Sequence, residues 1–335
     1  MTRISNKDLN EAGQILKAGY NEEAFDKIDG WRRLHTHAIN RFKLSLNRCI
    51  NENKGINKDY IVAQRLKRMP TILNKIASER YKGTLSDMQD IGGLRIILKN
   101  IDEVKYLASI FANKKTKQIL KKQYDYITKP KDTGYRGIHL VYKTVYPKPE
   151  YKDLQIEIQF RTELQHIWAT AVETVDTILN KSLKFDKKDP EWLEFFALVS
   201  SAFALQEKQP VLEAHKNLSE IEIKDKIKEK AIKLSIIPKL EQILNISKIL
   251  DTIQFKDIFL LEINKKTNEV THNICINENQ ANETYKNIEQ EILNGADIDA
   301  VLVQVSDFKK LKKAYPNYFL DTTDFVKELK KILTR

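Results

Sequence analysis

Leu154-Gln-Ile-Glu-Ile-Gln-Phe-Arg-Thr162 alternates between apolar and polar residues, the period of a β-strand. The alternation sends Leu154, Ile156, Ile158 and Phe160 into a core and leaves Gln155, Glu157, Gln159 and Arg161 on the opposite face. Successive side chains on that face stand about 6.7 Å apart along a strand. A carboxylate, an amide and a guanidinium so spaced suit the floor of a site that handles a metal, a hydroxyl and a phosphate. The pattern equally fits an antiparallel strand whose polar face meets only water, and taken alone the stretch favours that plainer reading.

Composition bounds what such a strand can belong to. With 335 residues, 41% of them hydrophobic, the chain is long enough for a sizeable core and two domains. No apolar run is long enough to cross a bilayer. The opening Met1-Thr-Arg-Ile-Ser-Asn6 lacks the apolar stretch of a secretory signal, so a cytoplasmic protein without a membrane partner is expected. Cys49 and Cys275 lie far apart without nearby ligand-spaced residues, which supports neither a disulfide framework nor a zinc site. Lys and Arg outnumber Asp and Glu by 57 to 46, and the net charge of +11 suits nucleotides, RNA or an acidic surface.

Residues 8–53 carry a helical pattern, interrupted at Gly30 and ended by Gly55. His35 and His37 are two apart and diverge on a helix, so they read as packing or surface residues rather than metal ligands. Residues 59–82 also read as helical and are rich in cations, with Arg65, Lys67, Arg68, Lys75, Arg80 and Lys82. Their default role is a solvated face; the functional reading is a phosphate clamp. Pro70 marks a break between two helical pieces.

Asp90-Ile-Gly-Gly-Leu-Arg95 leads into an apolar strand over 94–98, and Gly92 and Gly93 let the backbone approach a neighbour or ligand closely. An Asp there can hold Mg²⁺, although a turn or helix cap is its commoner role. A helix is expected over 102–122. Between 114 and 131 seven lysines face one acid, Asp125. A loop then runs to Tyr135 and His139, before a strand over 137–145. A tyrosine after a glycine in a basic loop can seat a nucleobase, though packing is its more frequent use.

In order, the chain contains Arg65-x-Lys67, Lys75, Asp90-Ile-x-Gly-x-Arg95, Asp125-Tyr-Ile-x-x-Pro-Lys131-x-x-Gly134-Tyr135-x-x-Ile-His139 and Ile156-Glu157-Ile-Gln159-x-Arg161-Thr162. Together these blocks resemble the synthetase domain of the RelA/SpoT family over about residues 40–185. The resemblance implies an α+β fold: a nucleotidyltransferase-like mixed sheet flanked by helices. It also implies an enzyme that moves the β,γ-pyrophosphate of ATP to the 3′-hydroxyl of GDP or GTP, making (p)ppGpp with Mg²⁺ as cofactor. Carried over by residue, Asp90 and Glu157 are the metal-binding and catalytic carboxylates. Arg65, Lys67, Lys75 and Arg95 surround ATP. Tyr135, Lys131, His139, Gln159 and Arg161 surround the acceptor.

The chain departs from the family pattern at Thr71, Thr133 and Gly137, the last removing a hydroxyl near the acceptor. No His-Asp pair of the family's hydrolase domain is visible, which implies synthesis only. Toxic family members pyrophosphorylate the 3′ end of tRNA instead, and the basic surplus keeps that alternative open. The helix expected over 163–181 contains His166, Trp168 and Glu173, with Trp168 read as core.

The domain organisation expected is a helical region over 1–39, the synthetase domain over 40–205, a helical connector over 206–252 and a smaller α/β module over 253–335. That module is expected to hold a hairpin over 259–264 and 269–276, helices over 279–293, 307–314 and 323–333, and a strand over 300–306. It carries no catalytic constellation. Regulation, oligomerisation or sensing of a protein partner are the roles it leaves open.

Overall fold

The computed structural model describes residues 4–78, 81–178, 190–241, 258–264, 270–275, 278–296, 298–304 and 322–334. Its main sheet has the order β1-β2-β5-β4-β3, with β1 Ile61–Leu66, β2 Gly92–Leu98, β3 Ile119–Asp125, β4 Ile138–Lys143 and β5 Gln155–Thr162. β2 and β5 run parallel; the other neighbours are antiparallel. The sheet is therefore mixed, and β5 is its central strand.

The apolar halves of these strands explain the first core. Ile156, Ile158 and Phe160 of β5, Leu94, Ile96 and Leu98 of β2 and Leu140 and Tyr142 of β4 are buried together. Over them lie α2 (Glu22–Glu52) and α4 (Ile101–Ala112), which contribute Ile28, Phe42 and Leu46, and Val104 and Leu107. α2 starts on an Asn21 cap whose side chain accepts from the Ala24 N–H, and it crosses the sheet at Gly92. A Cβ there would fall 2.8 Å from His35 Cβ and 3.1 Å from Ile39 Cδ1. α1 (Asn6–Ala18) packs on α2 and on α3 (Met69–Ala77).

A second core sits beyond the far end of β5. It joins α5 (Glu163–Ile178), α6 (Pro190–Gln206), α7 (Glu220–Lys233) and the C-terminal α9 (Thr323–Thr334) through Trp168, Trp192, Phe195, Phe196, Ile223, Ile227, Phe325 and Leu329. A separate three-stranded antiparallel sheet, order β7-β6-β8, uses β6 Ile258–Asn264, β7 Val270–Cys275 and β8 Ile298–Gln304. α8 (Glu278–Leu293) packs on that sheet. No helix among the described residues is long and apolar enough to cross a membrane.

Several sequence expectations need correction. Residues 61–66 form an edge strand, not a helix; Ile61 and Val62 are β-branched and the segment pairs fully with β2. Pro70 lies in the first turn of α3, where its missing N–H is harmless, so it starts a helix and breaks none. Residues 119–122 belong to β3, so the helix expected over 102–122 ends at Ala112. Gly30 sits inside α2 without interrupting it, and the expected division between residues 39 and 40 falls within this one helix. The helix expected over 307–314 and the turn linking β6 to β7 lie outside the described residues.

Candidate active site

Register brings the polar face of β5 together with its neighbours. Glu157 stands in one rung with Gly93 of β2, Arg65 of β1, Val141 of β4 and Lys122 of β3. The next rung holds Ala63, Arg95, Gln159, His139 and Tyr124. Gly93 leaves the space between Arg65 and Glu157 without a side chain. An open cleft occupies this place, lined by Arg65, Asp90, Gly93, Leu94, Arg95, Glu157 and Gln159.

Asp90 enters from the turn before β2 and receives Lys67 Nζ at 2.7 Å and Lys75 Nζ at 3.0 Å. Lys67 closes β1 and Lys75 lies in the last turn of α3, so one carboxylate ties two elements together. Burial pushes the Asp90 carboxyl up, but the two ammonium groups outweigh it and hold it well below the usual carboxylate range. The corner holds more cation than Asp90 neutralises. Lys67 is brought down to about 8 by its burial, with Arg65 and Lys75 repelling its charge and Asp90 opposing the shift.

Glu157 belongs to a closed ring of hydrogen bonds. His139 Nδ1 lies 2.8 Å from Glu157 Oε1, and His139 Nε2 lies 2.5 Å from the Tyr135 hydroxyl. Arg161 Nη2 donates to that hydroxyl at 2.8 Å and to Gln159 Oε1 at 2.9 Å, and Gln159 Nε2 donates to Glu157 Oε2 at 2.7 Å. One assignment satisfies every member: His139 protonated on Nδ1 and donating to an ionised Glu157, with the Tyr135 hydroxyl donating to Nε2. Burial alone would raise the Glu157 carboxyl, yet His139 and the Gln159 amide bring it below its ordinary value.

The loop carrying Tyr135 is fixed from several sides. Asp125 accepts from the N–H groups of Ile127 and Thr128, and Gly134 donates its N–H to the Lys131 carbonyl. Gly134, at φ +94°, packs so close to α6 that a Cβ would fall 2.9 Å from Ser200 Cβ. Gly137 has φ +147°, a conformation that disfavours any residue with a side chain. Lys131 Nζ lies 5.1 Å from the Tyr135 ring centroid and Arg161 Cζ 5.0 Å.

The expected site residues thus gather on one side of the sheet. Arg65, Asp90, Arg95, Glu157 and Gln159 line the cleft, Lys67 and Lys75 reach it through Asp90, and Tyr135, His139 and Arg161 join it through Glu157, with Lys131 over Tyr135. Trp168 is buried and donates its indole N–H to the Phe196 carbonyl, as core. Sequence reading missed Tyr124 and Tyr126. Their rings stack at 5.6 Å, and Tyr126 meets His139 edge-on at 5.2 Å while Lys131 Nζ sits 4.6 Å from its centroid. Once 119–125 is a strand, alternation puts Lys122 and Tyr124 on the site face.

Two carboxylates ionised at neutral pH on one cleft fit Mg²⁺, which takes one or two protein carboxylates and completes its shell with phosphate oxygens and water. Among the described residues no group of three or more His, Cys, Asp or Glu gathers as a protein-only metal cluster.

Comparison with known proteins finds similarity over the part of the chain that carries this cleft. Residues 64–176 match the family model described as the region found in RelA / SpoT proteins. GTP pyrophosphokinase YjbM of Bacillus subtilis is 34% identical over 113 residues, 32% of this chain and 52% of that protein. GTP pyrophosphokinase YwaC of the same organism is 29% identical over 126 residues, 36% of this chain and 59% of that protein. The chain therefore spans little more than half the length of these curated relatives. The crystal structure of small alarmone synthetase 1 from Bacillus subtilis bound to its product pppGpp aligns with 55% of this chain and 94% of that one, at 22% identity and a TM-score of 0.46. The match to the RelA / SpoT region, residues 64–176, runs from within β1 through the site-bearing strand β5 and into α5.

Proposed function

We propose that the cleft transfers the β,γ-pyrophosphate of ATP to the 3′-hydroxyl of GDP or GTP, giving (p)ppGpp and AMP. The observation that carries this reading is the shared lining of one cleft by Asp90 and Glu157, with Arg65 and Arg95 beside them. In the reaction the ribose oxygen attacks the β-phosphorus while the bond from that phosphorus to the bridging oxygen of AMP breaks. The hydroxyl proton passes to Glu157 and then to water.

Arg65, Lys67, Lys75 and Arg95 supply the positive charge a triphosphate requires, the arginines as planar forks and the lysines as point charges. Glu157, held by His139 and Gln159, orients the hydroxyl for in-line attack. Tyr135, flanked by Lys131 and Arg161, seats the acceptor base. Mg²⁺ held by Asp90 and Glu157 would neutralise developing phosphate charge.

A second acceptor, the 3′ end of tRNA, is favoured by one surface. β3 is one of the two edges of the main sheet, and Lys115, Lys117, Lys121, Lys122, Lys129 and Lys131 are exposed on or beside it. Incubation with ATP labelled in its β-phosphate, offering GDP, GTP and bulk tRNA in parallel, separates the readings. Label in nucleotide supports the first, label in RNA the second, and label in neither overturns both.

A further inference from the structure

α3 opens without a cap of its own. Its N-cap residue is Arg68, which makes no side-chain cap hydrogen bond. The N–H of Met69, the first residue of the helix, instead donates at 2.8 Å to Oε1 of Glu289, a residue of α8 in the distant C-terminal module. Glu289 is 1% exposed. It also accepts from Arg32 of α2 through both guanidinium ends, Nη1 and Nη2, each at 3.0 Å.

Arg32 is itself held by Asp29, which accepts from Nε at 3.0 Å and Nη2 at 2.6 Å, and its Nη1 donates at 3.3 Å to the carbonyl of Lys67. The pair therefore grips the backbone on both sides of Arg68, at the Lys67 carbonyl and the Met69 N–H. That corner sets the two cations on Asp90: Lys67 lies directly in it and Lys75 at the far end of the helix it starts. On the same helix the buried Tyr285 has its ring 5.7 Å from Arg32 Cζ, while Lys286 pairs with Asp26 at 2.6 Å and Gln290 donates to the Tyr20 hydroxyl at 2.8 Å. Glu289 differs from these in being a buried carboxylate that accepts from backbone as well as from Arg32.

We propose that Glu289, with Arg32, is a positioning residue of the donor-phosphate site, so that the C-terminal module supplies part of what orders Lys67 and Lys75 around ATP. The assignment rests on the reading of this corner as the ATP side of the cleft. It gives the module a supporting role in donor binding. The acceptor side does not depend on it: among the described residues the hydrogen bonds of the ring from Glu157 through His139, Tyr135, Arg161 and Gln159 close on one another and none reaches α8.

The test uses the full-length chain and the α,β-methylene analogue of ATP as probe, with binding read by calorimetry in the absence of acceptor. Glu289→Gln keeps the shape but weakens the grip on Arg32, and should lower analogue affinity about ten- to a hundredfold. KM for ATP should rise while KM for the acceptor stays unchanged. A folded variant with unchanged analogue affinity would overturn the proposal.

If Glu289→Gln does not fold, the double variant Arg32→Met with Glu289→Met replaces the buried pair by apolar side chains, an exchange buried ion pairs often tolerate. It too should bind the analogue more weakly, and unchanged affinity there is equally fatal. Failure of both variants to fold makes Glu289 a structural anchor and also overturns the proposal. A wild-type chain that binds the analogue, loses affinity in the variant and yet transfers no label sinks the pyrophosphokinase reading and leaves the positioning role standing.

Discussion

His139 reaches diagonally from β4 to Glu157 on β5, with Nδ1 2.8 Å from the carboxylate. This contact is the chief influence holding Glu157 below its ordinary pKa against burial. Without it burial prevails, so His139→Ala should raise the Glu157 pKa. On the proposed mechanism Glu157 works as its anion, so a raised pKa moves the acid limb of the rate profile toward neutral pH. The pH dependence of kcat should show that displacement, with turnover at neutral pH reduced about 10- to 100-fold, as for other groups that hold a functional carboxylate. An acid limb that stays in place would separate His139 from Glu157.

Asp90→Asn and Glu157→Gln should each reduce label transfer by about a thousandfold or more, since neutralising charge on a transferring phosphoryl group is worth several kcal/mol. Neither change alters side-chain volume appreciably, so thermal melting should remain cooperative. Undiminished transfer by either variant would remove that residue from the mechanism.

Lys67 carries its charge below about 8 and loses it above. Donor capture should weaken along that limb, so kcat/KM for ATP should fall through an apparent pKa near 8. Lys67→Arg, which stays charged throughout, should flatten it. Stability runs the opposite way: with the folded pKa about 8 against 10.5 for the ordinary lysine, the unfolded chain holds the proton more firmly between them, and stability rises with pH there. Chemical denaturation measured across the alkaline range checks the second sign.

Gly92 and Gly93 are adjacent in sequence and face opposite sides of the sheet. Gly92→Ala would press a Cβ against His35 and Ile39 of α2, costing about 1–3 kcal/mol of stability as an overpacked core does. Gly93→Ala faces the cleft, where its Cβ would meet the Glu157 carbonyl at 3.1 Å. It should cost transfer activity more than stability. Melting temperatures and label transfer on the two variants, measured side by side, would show whether the effects divide this way.

α9 completes the core formed by α5, α6 and α7. Phe325 is 1% exposed, with its ring 5.8 Å from Phe196 and 6.3 Å from Phe203. Phe325→Ala should destabilise the protein by about 3–5 kcal/mol. For the same reason, ending the chain near residue 250 should yield poorly folded protein instead of a freed enzyme. Soluble, cooperatively melting truncated protein would contradict the packing described.

The sheet's central strand was legible because its core face and its chemical face each carry a consistent residue type, and β2 because its apolar run is short and preceded by two glycines. β1 and β3 were not. Both are edge strands with mixed polarity and neighbouring lysines and arginines, so local composition resembles an amphipathic helix and only pairing reveals the strand. The ring around Glu157 was legible as a set of residues but not as a circuit, since its closure depends on the register between β4 and β5. Glu289 could not be found at all from sequence. One glutamate in a helix rich in Glu and Asn looks solvated until the fold carries it to Arg32.

The contact between Phe196 and Phe325 joins residues 129 positions apart in the chain. Such distant closure is entropically slow to find, so the helices behind the tyrosine loop should gain their final packing late in folding, after the sheet has formed. A refolding chain would then pass through a stage in which the strand bearing Glu157 is built but the wall behind Gly134 and Tyr135 is still loose. Substrate capture during refolding should consequently lag behind recovery of sheet structure.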